Sequence, residues 1–158
     1  MKISLFSCCY LSSFSRYFTT STDSLDKATL ENTRPFIPEI KVGKVIKVYD
    51  GDTITVASKL PFKDSSTYRF QIRLLGIDCP EIKGGSAEET RLAKEARDAL
   101  SDMVLYKNVR LENISTEKYG RVLATVFCDD VHINQWMIDN KYAVCYNGGT
   151  KNKPIEWR

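Results

Sequence analysis

The stretch VIKVYDGDTITVA (residues 45–57) decides the fold, because it predicts two short β-strands joined at Asp50-Gly51. β-Branched residues alternate with polar ones on both sides of the Asp-Gly pair, as in a β-hairpin. Asp-Gly predicts a type I′ turn, in which both central residues take positive φ. That turn accounts for Asp50 and Gly51 but not for Asp52, since aspartate is disfavoured at the start of a strand. Asp52 is therefore a candidate for a functional role.

Further elements follow the hairpin. Residues 67–75 alternate apolar and polar side chains and predict a third strand, with Ile72 on one face and Arg73 on the other. A helix is predicted from Ser86, which forms a capping box with Glu89 three positions later. The apolar stripe expected to face the core comprises Leu92, Ala96, Ala99, Leu100 and Met103. Two more strands are predicted at residues 109–114 and 121–127, and a short helix at 134–141.

Five short strands with an inserted helix predict an α+β fold, a five-stranded OB-fold β-barrel with about two to three packed helices. We expect residues 41–150 to form this domain. Residues 1–40 are expected to be a low-order N-terminal tail with a candidate targeting segment, and residues 151–158 a basic C-terminal tail.

The composition is that of an ordinary soluble globular protein, with 42% hydrophobic and 27% charged residues among 158. The formal net charge is only +3. In residues 1–40 four basic and four acidic residues cancel, so the whole excess lies from Lys41 onward. An uneven positive charge of this kind is a mild indication of an anionic partner.

The five cysteines and one histidine do not follow the spacing of a zinc site or a disulfide framework. We therefore expect a reducing compartment, with an intracellular, cytoplasmic location as the default. The sequence contains no apolar run near the roughly 20 residues that a membrane span needs. Residues 1–25 are Ser-rich and contain no acid before Asp23, which leaves organelle targeting, acylation at Cys8-Cys9 and plain disorder open.

The segment RLLGIDCPE (residues 73–81) adds charged residues at the end of the third strand. Asp52 and Asp78 each lie at a strand edge, where two carboxylates could converge on a hard divalent cation. Arg73 and Arg121 can each grip a phosphate through two hydrogen bonds, and Glu81 can hold a water molecule. These are the parts that phosphodiester hydrolysis requires. The alternative is an ordinary turn, with Arg73 and Glu81 as a surface ion pair that contributes under about 1 kcal/mol.

The segment EKYGRVLATVF (residues 117–127) places further candidates at the entrance of a strand. Lys118 and Tyr119 come directly before Gly120, and Arg121 follows it. Lys118 and Tyr119 are candidate substrate-binding residues. His132, the single histidine, is interpreted as a surface residue rather than a catalyst.

At these residues the sequence closely resembles the staphylococcal-nuclease-like (thermonuclease) family. VYDGDTITV, IRLLGIDCPE and KYGRVLATVF match its three signature segments in order, and HINQWMIDNKYAV resembles the helix that follows them. The resemblance covers roughly residues 42–146. It implies an OB-fold barrel with a calcium-dependent phosphodiesterase site that acts on DNA and RNA.

The resemblance also implies roles for individual residues. Asp52 and Asp78 match the carboxylate ligands of the metal, and Asp50 matches a carboxylate that supports them. Cys79 stands where the family has a residue, often threonine, whose main-chain carbonyl binds the metal. Glu81 matches the glutamate described as the general base.

Further matches concern the substrate. Arg73 and Arg121 match the two phosphate-clamping arginines, and Tyr119 matches a nucleotide-contacting tyrosine. Two departures stand out. The connection IKGGSAEE (residues 82–89) is shorter than in the founding secreted enzyme. The position of a later, base-contacting tyrosine falls nearest Asn147, with Tyr142 and Tyr146 as alternatives.

Two hypotheses follow. The first is a monomeric nuclease that depends on a metal, with Ca²⁺ favoured over Mg²⁺, acts on DNA and/or RNA and needs no stable protein partner. The second is a non-catalytic OB-fold module that binds nucleic acid or protein, since the fold alone serves both functions.

Overall fold

The structure is a computed structural model that describes residues 25–83, 86–117, 120–149, 154 and 157. The chain divides into two units, Met1–Phe36 and Ile37–Arg158. In the first unit, Asn32 Oδ1 accepts a hydrogen bond of 2.8 Å from the Thr29 amide within a run of turns. The predicted targeting segment, Cys8-Cys9 and most of the predicted basic tail lie outside the described residues.

The second unit is built on five main strands and two helices among the described residues. The strands are β1 (Val42–Asp50), β2 (Thr53–Lys59), β3 (Thr67–Leu74), β5 (Asn108–Thr116) and β6 (Val122–Cys128). Three two-residue strands accompany them: β4 (Ile77–Asp78), β7 (Val131–His132) and β8 (Val144–Cys145). The helices are α1 (Ala87–Val104) and α2 (Ile133–Asp139).

The five main strands form a closed barrel. Their order is β3-β2-β1-β5-β6, and β3 also pairs with β6, parallel, from Ile72↔Val122 to Leu74↔Ala124. Four antiparallel neighbours and one parallel closure make a mixed barrel with the helices packed against it. The predicted class, an α+β OB-type barrel with packed helices, is confirmed.

The turn between β1 and β2 differs from the prediction. Asp50 pairs with Thr53, so the central residues are Gly51 and Asp52, and neither takes positive φ. The predicted type I′ turn centred on Asp50-Gly51 is therefore wrong. Glycine is required at position 51 for space, because an added Cβ would lie 2.8 Å from Sγ of Cys79 and 2.9 Å from Cβ of Ala96.

Helix α1 begins as predicted but presents a different face to the core. Ser86 Oγ accepts a hydrogen bond of 3.0 Å from the Glu89 amide, which caps the helix. The buried residues are Glu89, Ala93, Ala96, Leu100 and Val104. Ala96 and Leu100 were predicted, whereas Leu92, Ala99 and Met103 are only half-buried. At Ala96 the helix approaches Gly51 so closely that only small side chains fit between the turn and the helix.

A buried asparagine connects α2 to the closure of the barrel. The side-chain oxygen of Asn134 accepts from the Val126 amide at 2.9 Å, and its amide group donates to the Leu75 carbonyl at 2.9 Å and the Ala124 carbonyl at 3.2 Å. These partners lie on β6 and just beyond β3. The amide thus occupies the point where the short parallel pairing ends.

Two further expectations concern features outside the barrel. Cys79, Cys128 and Cys145, the cysteines among the described residues, are free thiols. No helix in the described part of the chain is long and apolar enough to cross a membrane.

Candidate active site

A pocket of about 740 Å³ lies at the turn between β1 and β2. The turn, the end of β3, β4 with the residues after it, and the entrance of β6 all contribute to its wall. The described residues that line it are Tyr49, Asp50, Asp52, Arg73, Asp78, Cys79, Pro80, Glu81, Ile82, Lys83, Glu117, Arg121, Tyr146 and Gly149. Seven residues predicted for the site therefore share one cavity: Asp50, Asp52, Arg73, Asp78, Cys79, Glu81 and Arg121.

One arginine joins the two predicted metal-binding carboxylates. Nη2 of Arg73 lies 3.0 Å from Oδ2 of Asp52 and 2.9 Å from Oδ1 of Asp78. Its Nη1 donates to the Ile77 carbonyl at 2.8 Å, which fixes the guanidinium plane. The side chain of Arg73 is only 9% exposed, so the alternative of a surface ion pair does not fit it.

The Asp52 carboxylate is buried in an environment that disfavours its charge. The pKa of Asp52 is raised to about 6, chiefly by burial and to a smaller extent by the nearby charge of Asp50. The positive charge of Arg73 and a 2.8 Å hydrogen bond from Thr53 Oγ1 act in the opposite direction. Asp50 is in place beside it, since its Oδ1 accepts from the Asp52 amide at 3.2 Å.

Cys79 follows Asp78 and is buried against the turn. Burial, followed by the negative charges of Asp52, Asp50 and Asp78, raises the pKa of the Cys79 thiol well above its usual value. The thiol therefore stays protonated and does not serve as a nucleophile. Its side chain instead contacts Gly51.

Glu81 lies on the pocket wall and is positioned by helix α1. The Glu81 amide donates to Oε1 of Glu89 at 3.2 Å, and Glu89 is itself buried in the first turn of α1. Sequence reasoning found Glu89 only as part of a capping box. Its contact with the segment that carries Glu81 could not be read from that local pattern.

Arg121 reaches the pocket from the entrance of β6 and forms an ion pair with Glu117. The hydrogen bond to Glu117 is the largest cause that raises the pKa of Arg121 above its usual value. Glu117 was not predicted as a site residue, although it lies four positions before Arg121. Lys118 and Tyr119, predicted to bind substrate, lie outside the described residues.

An aromatic side chain, Tyr146, covers the buried arginine. The ring centroid of Tyr146 lies 5.8 Å from Cζ of Arg73, and its amide donates to the Gly76 carbonyl at 2.9 Å. Tyr142 packs against Trp136 instead, with ring centroids 5.8 Å apart. Of the alternatives considered for the later tyrosine, Tyr146 is the one that lines the pocket, and Asn147 does not.

His132 lies outside the pocket wall and has a structural contact. Its Nδ1 accepts from the Gln135 amide at 2.9 Å, which caps α2.

The charges on the wall do not balance. The described lining residues include five acids (Asp50, Asp52, Asp78, Glu81 and Glu117) and three cations (Arg73, Lys83 and Arg121). Two negative charges in excess would repel a phosphate unless a cation joined them. The described residues contain no cluster of three or more histidine, cysteine or acidic side chains arranged around a metal position. A cation here would rest on two carboxylates and other oxygen donors.

Comparison with known proteins finds a matching family model and several proteins of similar sequence. A family model described as Staphylococcal nuclease homologue matches residues 71–156, which is more than half of the chain. An uncharacterized protein of Bacillus anthracis is 35% identical over 105 residues, which are 65% of this chain and 46% of that protein. An uncharacterized endonuclease of Haemophilus influenzae is 32% identical over 103 residues, which are 65% of this chain and 51% of that protein.

A plant relative shares a shorter segment. The probable staphylococcal-like nuclease CAN1 of Oryza sativa subsp. japonica is 33% identical over 78 residues, 49% of this chain and 22% of that protein. The chain spans about half the length, or less, of these relatives. Because the family model matches more than half of the chain, including Arg73, Asp78 and Arg121 of the pocket, the chain belongs to the staphylococcal nuclease homologue family.

Proposed function

We propose that this chain is a metal-dependent nuclease that hydrolyses phosphodiester bonds in nucleic acid. The observation that supports it most is the sharing of Arg73 by Asp52 and Asp78, at 3.0 and 2.9 Å, in the pocket that also contains Glu81 and Arg121. In this arrangement the carboxylates can serve as ligands of a cation, and the arginine can donate hydrogen bonds to a phosphate. The relatives named as nucleases and endonucleases support the same reading.

The donor chemistry fits a hard cation. Asp52 and Asp78 would hold it, with the main-chain carbonyl of Cys79 and water as further oxygen donors. A divalent cation would cancel the two excess negative charges of the pocket wall. Ca²⁺ tolerates an incomplete and irregular shell better than Mg²⁺, so we favour Ca²⁺. When bound, the cation would supply positive charge to a phosphate oxygen.

The side chains of the chain then have separate roles in hydrolysis. Arg73 and Arg121 donate hydrogen bonds to the phosphate oxygens and stabilise the charge that develops on them. Glu81 accepts a proton from the attacking water as its oxygen bonds to phosphorus. The ester P–O bond breaks, and its oxygen takes a proton from solvent water and leaves as a hydroxyl group, while Glu81 returns its proton to solvent. Both arginines must release part of their present carboxylate contacts to do this.

Both DNA and RNA are proposed as substrates. Every donor described in the pocket is suited to phosphate, the group that the two nucleic acids share. A module that only binds nucleic acid would gain nothing from a pocket with excess negative charge. We therefore place the non-catalytic alternative second.

The test is a cleavage assay on the full chain. Labelled single-stranded DNA, duplex DNA and RNA are each incubated with Ca²⁺, Mg²⁺ or excess EGTA, and Asp78→Asn is assayed in parallel to exclude a contaminating nuclease. We expect cleavage with Ca²⁺ and its loss in EGTA. If no substrate were cleaved with any cation, the binding module would replace the nuclease. Undiminished cleavage in EGTA would remove the metal from the proposal.

A further inference from the structure

The outer face of strands β1–β3 leads directly away from the pocket. At the pocket, Thr53 on β2 pairs with Asp50 on β1 and with Arg73 on β3. Two antiparallel registers thus align the three strands in rows across the sheet. Rows on the same face repeat every two residues along β2 and β3, about 6.6 Å apart. On β1 the rows are three residues apart, because the register shifts twice along this strand.

Two further rows follow on this face. They are Lys47, Thr55 and Gln71, and then Lys44, Ala57 and Arg69. The outer residues of both rows are exposed, whereas Val45, Val56 and Ile72, from rows of the opposite face, are 0% exposed and belong to the core. The face therefore presents small side chains along β2 between longer, mostly basic ones on β1 and β3.

A separate groove lies at the end of this face that is farther from the pocket. This groove has a volume of about 670 Å³ and includes Lys41, Lys44 and Lys59 with a single acid, Glu39. Within the described part of the chain, none of the three lysines forms an ion pair. We call Lys44, Lys47, Lys59 and Arg69 the basic face.

The charge of the basic face is opposite to that of the pocket. Among the described residues of the pocket wall, five acids outnumber three cations, a balance that does not attract a polyanion. The basic face supplies positive charge one to three rows away, about 7 to 20 Å along the strands. A positive surface beside the site would raise the local concentration of a phosphate chain.

The width of the face limits what can lie on it. β1 and β3 flank β2 at about 4.8 Å each, so the two basic borders are roughly 10 Å apart. One extended strand fits between them, with its phosphates toward Lys47, Lys44 and Arg69. A duplex would have to rest above the borders and could not reach the half-buried floor at Thr55 and Ala57.

We propose that the basic face binds the phosphate backbone of a single-stranded segment of the substrate, next to the bond that is cut. This inference rests on the proposed function, because it assigns the path of the same substrate. It adds a binding surface that makes no contact with the reacting atoms. Tyr49, which is 51% exposed beside Lys47 at the mouth of the pocket, offers a ring on which a base can stack.

The first test measures binding without cleavage. The full chain in EGTA is titrated against a fluorescent 12-nucleotide single-stranded DNA at several salt concentrations. The double variant Lys44→Gln/Arg69→Gln should bind more weakly, and its slope of log K against log[salt] should be smaller by about 1.4, the loss of two single-strand phosphate contacts. The matched control, Lys94→Gln/Lys141→Asn, removes two exposed charges elsewhere and should retain the parental slope.

The second test separates this inference from the proposed function. With Ca²⁺, the Lys44→Gln/Arg69→Gln variant should show a raised KM for a 20-nucleotide strand, an unchanged kcat and an unchanged KM for a dinucleotide. Parental slope and KM in this variant would overturn the inference while the nuclease proposal stands. An equal loss for duplex DNA would overturn its single-strand geometry. If the parental chain cleaved nothing, the proposed function would fail, and the salt slopes would still decide the binding surface.

Discussion

The guanidinium group of Arg73 contacts both Asp52 and Asp78 and so holds the two carboxylates of the pocket together. A buried arginine shared between two carboxylates is rigid, because its other nitrogen is bound to the Ile77 carbonyl. Removing one partner of such a buried group leaves an uncompensated charge that costs several kcal/mol. Substitutions of Asp52, Arg73 or Asp78 thus change stability and chemistry together. Cleaner tests come from residues at the edge of the pocket.

Glu81 and Arg121 are such residues, since Glu81 is exposed and Arg121 is half-buried. Glu81→Gln and Arg121→Ala should each lower the turnover of single-stranded DNA by about a hundredfold or more, the effect of losing one preorganised transition-state contact. The thermal midpoint should change little in both variants. Parental turnover in either variant would show that its role is wrongly assigned.

Gly51 allows a test of the packing beneath the turn. Gly51→Ala should destabilise the chain by about 1–3 kcal/mol, because its Cβ would overlap Sγ of Cys79 and Cβ of Ala96. Chemical denaturation measures the change. Cys79→Ala in the same chain should recover part of the loss, since it removes the nearest atom. Strictly additive effects of the two substitutions would contradict this account.

At the scale of elements, helix α1 connects the stability of the barrel to the position of Glu81. Its first turn contributes the buried Glu89, which accepts a hydrogen bond from the Glu81 amide. Glu89 is a positioning residue, since it acts through the backbone that carries Glu81.

Two substitutions in this turn should separate capping from positioning. Ser86→Ala removes the cap and should cost about 1 kcal/mol of stability with little change in kcat. Glu89→Ala should lower kcat about tenfold or more, because small displacements of a catalytic group are expensive. Glu89→Gln keeps an acceptor oxygen and should recover much of that rate. Equal kcat values in the Ala and Gln variants would indicate a purely structural role.

Local patterns predicted most elements, and contacts distant in sequence decided the rest. Alternation predicted β1, β2 and β3 as strands and located β3 to within one residue at each end. The turn between β1 and β2 was misplaced by one residue, because contact with Cys79 and Ala96 outweighs the preference of Asp-Gly for a type I′ turn. The pair β4–β8 joins residues 77–78 to 144–145, too short and too distant for any periodicity to reveal. Glu117 and Tyr146 line the pocket because of the tertiary fold, which no local sequence pattern reveals.

At the scale of the whole molecule, the barrel gathers charges that are separated along the sequence by about seventy positions. Parallel pairing of β3 with β6 places Arg121, the residue before β6, beside the last residues of β3, which include Arg73. The acids concentrate in one pocket, and the unpaired lysines lie on a neighbouring face. In our proposal the pocket therefore binds the cation, and the basic face attracts the substrate.

Metal binding should consequently stabilise the whole fold. At about 100 times its dissociation constant, Ca²⁺ should add roughly 2.7 kcal/mol to the free energy of unfolding, since the unfolded chain has no assembled pocket. Thermal unfolding with Ca²⁺ and with EGTA measures the difference. The chain should remain folded in EGTA, as judged by circular dichroism. Asp78→Asn is the control, and an equal Ca²⁺ shift in that variant would place the cation elsewhere.

The buried amide of Asn134 has one more consequence. Its side chain forms hydrogen bonds with backbone groups of Val126, Leu75 and Ala124, where β3 and β6 close the barrel. These hydrogen bonds attach α2 to the closure of the barrel. A motion that displaces α2 must break these hydrogen bonds. It must therefore also weaken the pairing of β3 with β6 and change the distance between Arg121 and Arg73. We therefore expect Asn134, which is not among the residues that line the pocket, to influence how the two arginines would hold a phosphate.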